Sequence, residues 1–117
     1  MPSTALTAET FEAAVTQHGI VLICWWADWS GPCRKFGPVF EQASHDHADL
    51  TFTTVDTLAE SALAVAMQVT AIPDLMVYRD GILVYEEAAM LSAEELEGVI
   101  RATRAVDMAE VARQLQG

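Results

Sequence analysis

The chain has 117 residues, 52% of them hydrophobic, which suits one domain built on a single core. Seventeen acidic residues against six basic ones give a net charge of −11, which argues against nucleic acid or an anionic membrane surface as a partner. No apolar run approaches the roughly 18–20 residues needed to cross a bilayer.

Thr7 is placed to cap a helix over residues 8–18, with Phe11 and Val15 four apart on one face and Gly19 ending it. A short strand near residues 4–6 can precede it. Residues 20–26 form a continuous apolar run rich in β-branched and aromatic side chains, the pattern of a strand buried on both faces. Residues 33–48 read as a helix, with Phe36, Val39, Phe40 and Ala43 on one stripe and a kink expected at Pro38. Residues 50–56 read as a strand, and the Ala-rich stretch 58–68 as a helix. Ile72-Pro73 opens a strand over 74–78. Arg79-Asp80-Gly81 is a hairpin turn signal, and 82–87 returns antiparallel. Ser92 followed by Glu95 is a capping box for the next helix. Asp107 and Glu110 suggest a break and a final short helix.

Strands alternating with helices, then a hairpin, predict an α/β fold: a mixed sheet of four or five strands flanked by helices on both faces. Residues 1–106 form the expected domain and 107–117 a C-terminal helical extension. His18, His45 and His47 follow no metal-ligand spacing, and all three read as solvated helix ends. No metal or cofactor is expected. The absence of a basic, apolar leader and the presence of only two cysteines point to a reducing, cytoplasmic setting.

The stretch Trp26-Ala27-Asp28-Trp29-Ser30-Gly31-Pro32-Cys33 joins the buried strand to a helix. Unpaired N–H groups and the helix dipole favour a thiolate in such a first turn. With Ala71-Ile72-Pro73, forty residues beyond Cys33, the stretch resembles the active site of the thioredoxin family, Trp-Cys-Gly-Pro-Cys facing a cis-proline loop. The resemblance spans about residues 6–106. It implies a thioredoxin fold, protein-disulfide reduction, redox homeostasis and a substrate chain laid across Trp29, Gly31, Pro32, Ile72 and Pro73. In the family the first cysteine attacks and the second resolves. Cys33 matches the second, and Ser30 stands at the attacking position.

A serine hydroxyl does not exchange with disulfides, so Ser30 is expected to act as a helix cap, and dithiol turnover to be absent. Cys33 is either a buried, sluggish thiol or a single-thiol site. Cys24 falls where many thioredoxins carry a buried aspartate, and Phe52 where many carry a lysine near it. Core packing is the expected role of Cys24, a Cys24–Cys33 disulfide the lesser alternative. Asp74 and Ala89 also depart from the family pattern, at positions beside the substrate groove. These joint departures favour natural divergence over a single engineered exchange. Trp29 is expected at the surface as a contact plate. The partners implied are protein thiols, disulfides or extended peptides, with a thioredoxin reductase as electron source. The alternative to a redox protein is a non-catalytic peptide-binding module. A monomer is favoured over a homodimer built on the tail.

Overall fold

The computed structural model describes residues 3–116. Five strands and five helices follow in the order β1 (Ser3–Ala5), α1 (Ala8–Thr16), β2 (Ile20–Trp26), α2 (Gly31–Asp46), β3 (Thr51–Asp56), α3 (Ser61–Ala66), β4 (Asp74–Arg79), β5 (Ile82–Glu87), α4 (Ala93–Arg104) and α5 (Met108–Gln116). The sheet runs β1-β3-β2-β4-β5. β3 pairs in parallel with β1 and β2, whereas β4 and β5 are antiparallel. The apolar run Ile20–Trp26 therefore becomes the central strand, as its lack of alternation requires.

Because side chains alternate across a strand, β2 feeds two cores. Leu22 and Cys24 pack with Phe52, Leu75, Phe36, Phe40, Leu96 and Ile100, beneath α2 and α4. Val21, Ile23 and Trp25 pack on the opposite face with Phe11, Val15 and Ala64, beneath α1 and α3. Phe40 lies 5.9 Å from Phe36 and 5.2 Å edge-on to Phe52, measured between ring centres. Such rings each stabilise the fold by about 1.5–3 kcal/mol through burial. This contact fixes α2, and with it the loop that precedes α2, over the sheet.

Local chemistry sets the boundaries. Asp80 and Gly81 both have positive φ (53° and 83°), so the hairpin turn is of the mirror-image kind that matches strand twist. Ser92 Oγ accepts from the Glu95 N–H at 3.1 Å, and Glu95 Oε1 accepts from the Ser92 N–H at 2.8 Å. Helix α2 continues through Pro38, which sits on its exposed side. Two helices are shorter than their sequence patterns predict. α1 stops at Thr16, and Gly19 (φ 96°) lies in the turn into β2. α3 begins only at Ser61. The Asp56 carboxylate accepts from the Leu58 and Ala59 N–H groups at 2.9 and 3.2 Å, and this holds 57–60 in turns. His47 is not a solvated helix end. Its Nε2 lies 2.8 and 2.9 Å from the two Glu97 carboxylate oxygens, tying the end of α2 to α4.

Candidate active site

The site lies at the end of β2. There the chain leaves the sheet, turns through 27–30 and enters α2. The Trp26 carbonyl accepts from both the N–H (2.8 Å) and the hydroxyl (3.1 Å) of Thr57, so the end of β3 anchors the turn. The Ser30 N–H donates to the Ala27 carbonyl at 3.2 Å. Ser30 is the N-cap of α2, and its Oγ accepts from the Cys33 N–H at 3.3 Å. The hydroxyl is thus committed to a helix-end donor, and the residue is 4% exposed. Trp29 beside it is 65% exposed.

Opposite this turn the Ile72–Pro73 bond is cis. A groove of about 480 Å³ separates the two loops, with Trp29, Ser30, Gly31 and Pro32 on one wall and residues 69–72 on the other. The structure therefore brings Trp29, Ser30, Gly31, Pro32 and Ile72 onto one recess. Pro73 is buried beneath it and is not among the lining residues.

Cys33 is not on that groove. Its side chain is 6% exposed and faces a second recess of about 360 Å³ under α2, where it meets Cys24. Both cysteines are free thiols. Cys24 packs in the core beneath α2. Burial pushes its thiol up to about 12, and the neighbouring Cys33 and Asp74 push in the same direction. It is a protonated thiol at neutral pH.

Asp74 is the residue that sequence reasoning placed differently. It is 3% exposed, and its Oδ1 has no hydrogen-bond partner among the described residues. Burial, then a hydrogen bond to Glu86 and the charge of that carboxylate, push its carboxyl up to about 7. Its partner across the ladder is Trp25, whose Nε1 is also buried and unpaired among the described residues. The available signal was the unbroken apolar run Leu75–Tyr78, which makes Asp74 the first residue of a fully buried strand. Ala89 packs partly against the core beneath α2. Among the described residues no group of three or more His, Cys, Asp or Glu side chains is placed to hold a metal ion. No described helix is long and apolar enough to cross a membrane.

A cis-proline loop facing a Gly-Pro-Cys helix start on a five-stranded mixed sheet defines an α/β protein of thioredoxin fold. Residues 2–102 match the family model described as Thioredoxin, and the chain belongs to the thioredoxin family. It is 43% identical over 106 residues to "Putative thioredoxin 2" of Streptomyces coelicolor, covering 91% of this chain and 79% of that one. It is 35% identical to "Thioredoxin-1" of Schizosaccharomyces pombe, over 79% of this chain and 88% of that one. Among solved structures it is similar to a point-mutant thioredoxin from Halobacterium salinarum NRC-1, with a TM-score of 0.77 and 27% identity. That match covers 86% of this chain and 88% of the other.

Proposed function

We propose that this chain is a thioredoxin-family protein whose groove receives an extended peptide or protein segment and whose redox chemistry is confined to the single thiol of Cys33. The observation that carries the reading is the Ser30 hydroxyl. It occupies the attacking position and is engaged as the cap of α2. The general function of the family is thiol–disulfide exchange, and thioredoxins act on protein disulfides. Turnover between two motif cysteines needs a second sulfur at position 30, and the sequence has none there. Trp29, Gly31, Pro32, Ile72 and Pro73 are the proposed substrate-binding residues, with Cys33 as the reacting one. Residues 1–106 are the functional domain and 107–117 an extension, in a cytoplasmic monomer without a cofactor. A thioredoxin reductase is the expected electron source for any Ser30→Cys form.

The test is insulin-disulfide reduction with a thioredoxin-reducing system, comparing this chain with Ser30→Cys. Restored turnover in the variant means that the groove and Cys33 remain competent. A folded variant that stays inactive favours the second reading, a non-catalytic peptide-binding module. The exposed Trp29 beside an open groove supports that reading.

A further inference from the structure

The two recesses at the end of β2 share no lining residue among those described. The groove carries the aromatic plate and the cis-proline loop but neither sulfur. The recess under α2 carries both sulfurs and lies between β2, β3 and the first turns of α2. A peptide strand in the groove therefore runs past Ser30, while Cys33 opens onto the recess under α2.

We propose that the recess under α2 is a separate entrance to Cys33 for low-molecular-weight disulfides, which leave a mixed disulfide on Cys33 next to Cys24. The inference rests on the reading above only in taking Cys33 as the reacting thiol. Three observations support this occupant. The volume, about 360 Å³, is in the range of small-molecule sites, about 300–1,000 Å³. The two nucleophilic groups in the wall are thiols, whose characteristic partner is another sulfur. Arg34 is the one cation among the described lining residues, alongside the acids Asp28 and Glu41, and it lies one residue from Cys33, so the wall offers both signs of charge to a zwitterionic small thiol such as glutathione.

In the reaction the Cys33 thiol loses its proton to solvent and its sulfur attacks one sulfur of R–S–S–R. A Cys33–S–R bond forms, the R–S–S–R bond breaks, and the released thiolate takes a proton to leave as RSH. Cys33 is oxidised and the small disulfide is the oxidant, so nothing else is consumed. Cys24 does not complete a second exchange, because its sulfur is held as a protonated thiol in the core. The adduct therefore persists rather than collapsing to a Cys24–Cys33 disulfide.

The experiment is adduct formation with glutathione disulfide, followed by mass spectrometry on the folded chain and its variants. Gly37 lines the recess, is exposed, and a side chain built there meets nothing within 4 Å, so Gly37→Trp obstructs this entrance alone. Ala71 is exposed on the groove, and Ala71→Trp obstructs that side alone. Circular dichroism establishes that both variants are folded. The expected result is one glutathione per chain, lost in Cys33→Ala and kept in Cys24→Ala. Its rate falls about tenfold or more in Gly37→Trp and less than about twofold in Ala71→Trp, since access governs exchange at a buried sulfur. Slowing by Ala71→Trp without slowing by Gly37→Trp overturns the proposal. So does an intramolecular disulfide without retained glutathione, or the absence of any adduct on a folded chain that reacts when denatured. None of these outcomes depends on insulin turnover, so this inference and the proposed function fail separately.

Discussion

Replacing Asp74 by Asn tests the reading of the buried carboxyl quantitatively. Asp74 is 3% exposed, and its carboxyl is carried from 3.8 up to about 7, chiefly by burial. That displacement corresponds to about 4 kcal/mol of preference for the protonated form. Because the folded chain holds this proton more tightly than the unfolded chain, stability from this group is fully present below about pH 4. It is lost as pH rises through about 7. Asn keeps the shape and cannot ionise. The variant is therefore expected to match the parent near pH 4 and to exceed it by about 2–4 kcal/mol at pH 8. Urea denaturation of both chains at pH 4, 5, 6, 7 and 8 measures the difference, and subtraction removes the common contribution of the other acidic residues. A difference that is constant with pH, or that shrinks as pH rises, refutes the argument.

Four further outcomes are accessible to the same denaturation assay or to the turnover assay. Ser30→Ala removes the acceptor for the Cys33 N–H and is expected to cost about 1 kcal/mol of stability. Arg79→Ala strips the donor that serves the carbonyls of Thr103, Arg104 and Val106 at 2.8, 3.1 and 2.8 Å. A loss of about 1.5–3 kcal/mol is expected, with early fraying of α4 in hydrogen exchange. Gly81→Ala forces a side chain onto φ 83° and is expected to cost about 1–2 kcal/mol. Trp29→Ala removes an exposed ring, so stability is expected to change by less than about 0.5 kcal/mol. In a Ser30→Cys background the same change lowers insulin turnover, which is the measurement that separates a contact plate from a packing residue.

The elements whose physics is local were legible in the sequence. The run Ile20–Trp26 has no polar face, so it had to lie at the sheet centre. Asp80-Gly81 and the Ser92–Glu95 pair each specify their geometry within four residues. The start of α3 was not legible in the same way. Ala-rich composition favours helix throughout 58–68, and the turn wins only because Asp56 is held at the end of β3 with its carboxylate over the next N–H groups. His47 was misplaced because its partners, Glu97 and Arg104, are 50 and 57 residues away. The division of the site had the same cause. Sequence places Cys33 three residues after Ser30, but which side of the helix its sulfur faces is decided by how Phe36 and Phe40 seat α2 on the sheet.

Ser30, Cys24, Phe52 and the buried Asp74 share one electrostatic logic. Phe52 and Cys24 lie in the same core, and a carboxylate–ammonium pair in that place must recover its desolvation through good geometry or through a reaction that uses it. With no sulfur at position 30, no resolving step calls for a proton acceptor on β2. A thiol raised to about 12 at Cys24 makes that core neutral at every physiological pH. The buried acid of this chain is instead on β4, paired with Glu86 on the adjacent edge strand and directly after the cis-proline. An acid there titrates near neutrality next to the loop that forms one wall of the groove. Restoring Cys at position 30 alone therefore returns the attacking sulfur without returning the proton acceptor, and the turnover of that variant is expected to depend on solvent for the proton that Cys33 must lose.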